Sequence, residues 1–179
     1  MNRYTTFESP LGPILLVSDG SFLTGAYFSG QKYEPVPGPD WRPEPGLGIF
    51  QDAVLQLHEY FAGRRRVFEI PLRLLGTPFR MKVWDALLEI PFGSTVSYGE
   101  LAGRVRREDA VRAIGAAVGR NPVSVIVPCH RVIGGDGSLT GYAGGLERKR
   151  GLLDLEAAVL AGGEKGALKK KEKSGDELL

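Results

Sequence analysis

Cysteine and histidine are scarce in this sequence, which holds one cysteine, Cys129, and two histidines, His58 and His130. A single thiol excludes an intrachain disulfide, and so few soft ligands exclude the common zinc sites. Long apolar runs are also missing: the longest near the N-terminus, residues 14–17, is far too short to span a bilayer. With no signal-peptide pattern either, we expect a cytoplasmic protein with no metal and no membrane partner.

Neither sign of charge is in excess. The 179 residues include 23 lysines and arginines against 21 aspartates and glutamates, for a formal net charge of +2. Such a balance does not by itself predict nucleic-acid binding, so the local distribution of charge matters more. Arginines cluster at residues 64–66 and again at 104–112.

The first 75 residues read as strands and turns followed by one helix. Apolar alternation predicts strands at residues 3–7, 14–17 and 22–28, and proline interrupts the chain repeatedly at 34–46. Helical spacing of apolar residues then predicts a helix ending near Gly63, and residues 67–70 suggest one more strand. We interpret residues 1–75 as an N-terminal lobe.

Residues 76–160 have a different, mostly helical pattern. Thr77 and Pro78 open a helix, and Ser97 with Glu100 forms a capping box for a short one. Helices at 98–104 and 110–119 then form a candidate helix-turn-helix, an apolar run predicts a strand at 123–127, and the last helix covers 146–160. From residue 161 to 179 the composition predicts a disordered tail.

One face of the second of these paired helices has an unusual composition. It carries Arg112 with Gly115, Ala116 and Gly119, and glycine weakens a helix by about 1 kcal/mol relative to alanine. Two interpretations stay open: close packing against a neighbouring element, or a flat face that enters a DNA groove. Because this face has no row of Asn, Gln or Arg side chains to read base edges, we expect the second interpretation to give little sequence preference.

The residues around Cys129 carry the chemical signal. A reactive thiol needs a base or a cation nearby, and His130 is adjacent in sequence. Successive residues of an extended segment point to opposite faces, so a contact between them needs a bend at Pro128 or a bridging water. An inert buried cysteine is the alternative.

Several motifs together identify a family. The segment Pro128-Cys129-His130-Arg131-Val132 resembles the active-site signature of the O6-alkylguanine-DNA alkyltransferases. The resemblance covers residues 77–157 and includes Val96-Ser97-Tyr98-Gly99-Glu100-Leu101-Ala102, Ala110-Val111-Arg112-Ala113-Ile114-Gly115, Asn121-Pro122 and Gly141-Tyr142-Ala143-Gly144-Gly145-Leu146. It implies a two-lobe α/β (α+β) fold: an RNase H-like N-terminal lobe, a small sheet with a helix, and a winged-helix-like C-terminal lobe with the helix-turn-helix.

The resemblance also implies catalytic roles. Cys129 would accept the alkyl group from O6-alkylguanine, and the thioether would form irreversibly, so that each molecule acts once. His130 would act as the base through a water, oriented by Glu156. Asn121 would organise the turn and support the thiolate, and Tyr98 would donate to the departing guanine.

DNA contacts are implied for Arg112, Ala113, Gly115, Tyr98 and Arg131. Arg112 would fill the space left by the flipped base, and the helix would lie in the minor groove of double-stranded DNA. The expected protein is a monomer without cofactor, and O4-alkylthymine is a second lesion to test.

A pocket for the flipped base is implied at Tyr142, Ala143, Val127 and Val132. Two other functions remain as rivals: a protein that binds lesions without chemistry, and a helix-turn-helix regulator that uses Cys129 as a methyl sensor. The family's lesion-binding relatives carry tryptophan at the cysteine position, so the presence of Cys129 favours transfer.

Overall fold

An antiparallel hairpin begins the N-terminal lobe in this computed structural model, which describes residues 1–162. The predicted tail at 161–179 lies outside the described residues from 163 onward. Four strands form one sheet in the order β3-β2-β1-β4. They are β1 (Arg3–Ser9), β2 (Gly12–Ser18), β3 (Leu23–Phe28) and β4 (Arg42–Pro43).

Side chains define the turns of this sheet. Ser9 donates from its hydroxyl to the carbonyl of Gly12, which has a φ of +111°, a conformation that favours glycine. At the next turn, the Asp19 carboxylate accepts from the backbone N–H groups of Ser21 and Phe22. The short turns therefore set the register that the alternating pattern predicts.

Helix α1 (Gly48–Phe61) packs its apolar face against the sheet. It ends at Phe61, and Gly63 follows with a φ of +78°, close to where the sequence predicts the end of the helix. The predicted strand at 67–70 is wrong. The Gln56 side chain instead makes two hydrogen bonds to the backbone of Glu69. These bonds occupy the N–H and the carbonyl that Glu69 would use to pair with a neighbouring strand. Just after this segment, Leu72 makes an isolated bridge to Leu23 on the sheet.

The C-terminal lobe is built from helices with one short parallel strand pair. Its elements are α2 (Pro78–Leu88), β5 (Val96–Ser97), α3 (Tyr98–Arg104), α4 (Val111–Gly119), β6 (Val132–Ile133) and α5 (Leu146–Leu160). Thr77 and Ser97 cap α2 and α3 by accepting from the N–H groups of Arg80 and Glu100. No helix within residues 1–162 has the length and apolarity needed to cross a membrane. The two-lobe α/β fold expected from the sequence is confirmed.

The predicted strand at 123–127 is also wrong. Val123 makes a single bridge to Ala26, and the chain then turns through Val125, whose φ is +72°. Asn121 supports this turn, because its amide donates to the carbonyl of Val127 and accepts from the N–H of Val123. The apolar side chains of residues 123–127 fill the core. A run of apolar residues here therefore indicates burial, although the backbone is not extended.

The two lobes share backbone hydrogen bonds near this turn. Ala26 on β3 donates to the carbonyl of Pro122, and its carbonyl accepts from the N–H of Ser124. The edge of the N-terminal sheet therefore holds the segment that leads to Cys129.

Candidate active site

Cys129 begins a single 3-10 turn, Cys129–Arg131, directly after the buried apolar segment. Its side chain is 6% exposed and borders a cavity of about 620 Å³ between α3, α4 and the loop before α5. Tyr98, Gly115, Tyr142 and Ala143 line the same cavity. The fold therefore gathers the predicted nucleophile and four other predicted site residues around one open space.

Val127 and Val132 do not line this cavity. Both side chains are fully buried on either side of the turn that carries Cys129. The turn directs their side chains into the core, so they do not form the cavity wall, and their place near a base pocket stays a prediction. They support the floor of the site from behind.

His130 points away from the cavity and meets α5. Its Nε2 lies 2.6 Å from Oε2 of Glu156, and both side chains are almost completely buried. Its Nδ1 is also buried and has no hydrogen-bond partner among the described residues. Glu156 thus fixes the imidazole through Nε2 and leaves Nδ1 available for another hydrogen bond.

Glu156 is held by five hydrogen bonds. Oε1 accepts from the N–H of Gly93 and from Nε of Arg131, whereas Oε2 accepts from Tyr60 and Arg131 and lies against His130. Burial alone would raise the pKa of this carboxyl, but His130 and Arg131 outweigh burial and lower that pKa far below its ordinary value. Glu156 is therefore a carboxylate, and Nε2 of His130 carries the proton that it accepts.

Arg131 does not contact solvent as a DNA-binding residue would. Its side chain is 7% exposed, and its guanidinium donates to both oxygens of Glu156 and to the carbonyl of Ile90 at 2.7 Å. The prediction that Arg131 binds DNA is wrong, because a buried carboxylate already takes its charge. Arg131 instead holds the Glu156 carboxylate in position.

Burial also sets the resting protonation states of the reactive pair. It raises the pKa of the Cys129 thiol, although the Asn121 amide and the Lys149 ammonium act in the opposite direction. Burial lowers the pKa of His130, and the hydrogen bond to Glu156 offsets this only in part. The resting site therefore holds a neutral thiol and a neutral imidazole whose Nδ1 can accept a proton.

Lys149 is a site residue that the sequence analysis missed. Its ammonium is fully buried and donates to the carbonyls of Val132, Thr140 and Gly141. These contacts tie the loop before α5 to the strand after Cys129, and the positive charge favours the thiolate. A signal for it existed, because Lys149 and Glu156 are seven residues apart on the same buried face of α5.

Two tyrosines face Cys129 from different elements. Tyr98, the first residue of α3, donates from its hydroxyl to the carbonyl of Thr140. The Tyr142 hydroxyl is buried without a hydrogen-bond partner among the described residues, and its polar neighbours are Cys129 and Ser124. Both pKa values are raised, chiefly by burial, so both hydroxyls keep their protons near neutral pH.

The unusual face of α4 is open. Arg112, Ala113 and Ala116 are exposed, and Ile114 with Val118 packs inward instead. Among the described residues, a side chain added at Gly115 would meet Tyr98 at 3.8 Å, in ordinary contact. Internal packing within the described residues therefore does not explain this face.

Comparison with known proteins gives the same picture for both lobes. The family model for the DNA-binding domain of 6-O-methylguanine DNA methyltransferase matches residues 78–158. The model for the ribonuclease-like domain of the same family matches residues 2–74. The chain belongs to the 6-O-methylguanine DNA methyltransferase family.

Relatives of this methyltransferase family are similar over most of their length. The methylated-DNA–protein-cysteine methyltransferase of Mycobacterium bovis is 51% identical over 156 residues, which cover 87% of this chain and 93% of the relative. The Haemophilus influenzae protein of the same name is 47% identical, covering 86% of this chain and 85% of the relative. A crystal structure of Mycobacterium tuberculosis OGT in complex with DNA superimposes with a TM-score of 0.82 at 48% identity, covering 88% and 94% of the two chains.

Proposed function

We propose that this protein repairs O6-alkylguanine in double-stranded DNA by moving the alkyl group irreversibly to its own Cys129. The observation that carries the proposal is the position of this thiol, at an open cavity and next to an imidazole held by a buried carboxylate. Membership of the methyltransferase family supports the same chemistry.

The proton of the thiol goes to His130 in this mechanism. Because Glu156 holds the Nε2 proton, Nδ1 presents its lone pair, and one water between Sγ and Nδ1 would relay the transfer as the family resemblance implies. The resulting imidazolium is stabilised by the Glu156 carboxylate. The thiolate then forms at the moment of reaction, since burial keeps it protonated at rest.

Alkyl transfer itself is an in-line displacement. Sγ of Cys129 attacks the alkyl carbon, the bond from that carbon to O6 breaks, and its electron pair leaves with the guanine. Tyr98 lines the cavity and retains its proton, so its hydroxyl can exchange the Thr140 carbonyl for the departing base as its acceptor. The product thioether is stable, and each molecule therefore acts once.

DNA would meet the exposed face of α4. Its small residues allow the helix to approach a backbone in the minor groove, and Arg112 can replace the stacking that a flipped nucleotide loses. Backbone contacts of this kind suit a repair protein that must scan any sequence. We further propose that a monomer suffices for the reaction, because one chain supplies Cys129, His130 and Glu156.

The decisive experiment is a mass measurement on the whole protein. After incubation with a duplex containing O6-methylguanine, we expect a gain of one methyl group, located on Cys129 by peptide mapping. Cys129→Ser should bind the duplex without gaining mass. An unmodified wild-type chain that still binds would favour the lesion-binding rival, and selective binding to one undamaged sequence would favour the regulator.

A further inference from the structure

The N-terminal lobe contacts Glu156, the carboxylate that holds His130, through the side chain of Tyr60. Tyr60 lies in the last turn of α1, is fully buried, and places its hydroxyl 2.6 Å from Oε2 of Glu156. Its ring packs on Phe68 and on Phe92, the neighbour of the Gly93 that donates to the other carboxylate oxygen. A residue of the opposite lobe therefore takes part in the hydrogen bonding of the active site.

Three groups share the same oxygen of Glu156. Oε2 lies 2.6 Å from the Tyr60 hydroxyl, 2.6 Å from Nε2 of His130 and 3.1 Å from Nη2 of Arg131. Donors that share an acceptor divide its negative charge among them. The more Tyr60 draws from Oε2, the less Glu156 stabilises a protonated His130.

We propose that Tyr60 is a positioning residue that tunes the basicity of His130 by sharing Oε2 of Glu156. The inference rests on the proposed alkyl transfer, in which His130 must be neutral to accept the thiol proton. By donating to Oε2, the hydroxyl weakens the stabilisation that Glu156 gives to a protonated His130, and so adds to the burial that keeps the imidazole neutral. The N-terminal lobe thereby sets the pH range in which the nucleophile can be activated.

The remaining charges around His130 do not replace this effect. Glu156 and Lys149 on α5 and Arg131 on its own turn are the charged groups that act on it, and Cys129 is its titratable sequence neighbour. Arg131 and Lys149 carry fixed positive charge, which lowers the pKa of His130. Tyr60 has a pKa well above its usual range, chiefly because of burial, so it remains a neutral donor throughout the assay range.

The test compares Tyr60→Phe with the full-length wild-type protein. The substitution keeps the ring and removes only the hydroxyl, so Oε2 loses one donor and the pKa of His130 should rise. NMR titration of labelled histidine can follow this directly, because the chain has only two histidines and the exposed His58 serves as the internal reference. Tyr4→Phe is the matched control, because the Tyr4 ring packs at a tilt against Trp41 in the same lobe.

Transfer rates provide the second readout. The acid limb of the rate against pH should move to higher pH in Tyr60→Phe, with about a tenfold loss on that limb for each unit by which the His130 pKa rises. The rate at alkaline pH should stay within about twofold of the Tyr4→Phe control, since Glu156 keeps its other donors. In a Glu156→Gln background, Tyr60→Phe should leave the His130 pKa unchanged.

Several outcomes would overturn the inference. An unchanged His130 pKa, or an equal loss of rate at every pH, would reduce Tyr60 to a structural role. If Tyr60→Phe fails to fold, 3-fluorotyrosine at position 60, a stronger donor, must lower the pKa of His130, and no change would refute the proposal. Failure of wild-type protein to alkylate Cys129 would instead refute the proposed function and is measured separately.

Discussion

The two lobes bury different kinds of polar side chain. Within the described residues, the N-terminal lobe buries polar side chains that are neutral: Ser18, Gln31, Gln56 and Tyr60. The C-terminal lobe buries His130, Arg131, Lys149 and Glu156. Removing a charged side chain from water costs free energy even when it is paired. We attribute the burial of these charged groups in the C-terminal lobe to the reaction proposed for Cys129.

The backbones of the two lobes also differ: the N-terminal lobe is regular, and the segment around Cys129 is irregular. The N-terminal lobe has long strand pairs and one helix of 14 residues, which bury apolar side chains in a regular pattern. The segment around Cys129 instead has a tight turn at Val125 and a 3-10 turn of three residues. Regular structure thus supplies stability, and irregular structure places reactive atoms. The following substitutions test this division.

Glu156→Ala should have the largest effect on stability. It leaves the buried Arg131 without its anion and removes the acceptor of Tyr60 and Gly93, so we expect the free energy of unfolding to fall by about 3–5 kcal/mol. Urea denaturation followed by tryptophan fluorescence measures this, with the exposed Asp154→Ala on the same helix as control. Similar stabilities for the two variants would contradict the account of the buried charge cluster.

Leu16→Ala tests whether the rest of the N-terminal lobe acts only as a scaffold. Leu16 is fully buried on β2, and the cavity should lower the free energy of unfolding by about 2–5 kcal/mol. The transfer rate of the folded molecules should stay the same, measured in single turnover well below the unfolding transition. A slower rate in the folded protein, beyond that of the exposed Val36→Ala, would break the division between the lobes.

Lys149→Met should have a smaller effect on stability and a clear effect on rate. Three carbonyl groups lose their shared donor, which should lower the free energy of unfolding by about 1–3 kcal/mol. Loss of the positive charge raises the pKa of the Cys129 thiol, so transfer at neutral pH should slow and recover as pH rises. The exposed Arg150→Met is the control, and an unshifted pH profile would remove Lys149 from thiol activation.

Arg112→Ala should change stability least, by less than about 0.5 kcal/mol, because its side chain is exposed. Repair of O6-methylguanine in a duplex should nevertheless slow far more than reaction with the free alkylguanine base, which needs no flipping. Both rates can be measured by the mass gain on Cys129. Equal losses on the two substrates, or an equal effect of the exposed Arg104→Ala, would exclude the proposed role in base flipping.

Local sequence patterns were sufficient for most of the elements. Hairpin turns, the caps at Thr77 and Ser97, and the apolar face of α1 each depend on residues close together in the chain. The same reasoning was wrong at residues 67–70, where Val67 is exposed and Phe68 and Ile70 are half-buried, and at residues 123–127, where every side chain is buried. Neither segment pairs as a strand. There the backbone partners are side chains, Gln56 in one case and Asn121 in the other.

The proposed role of Cys129 and the contact between His130 and Glu156 could be inferred from motif resemblance. The burial of Arg131 and Lys149 and the hydrogen bond from Tyr60 to Glu156 could not. An arginine beside a nucleophile looks the same in sequence whether it faces DNA or a carboxylate. Only the packing of α1 and α5 around the turn at Cys129 decides this, because a buried charge is stable only where distant segments bring its partner within hydrogen-bonding distance.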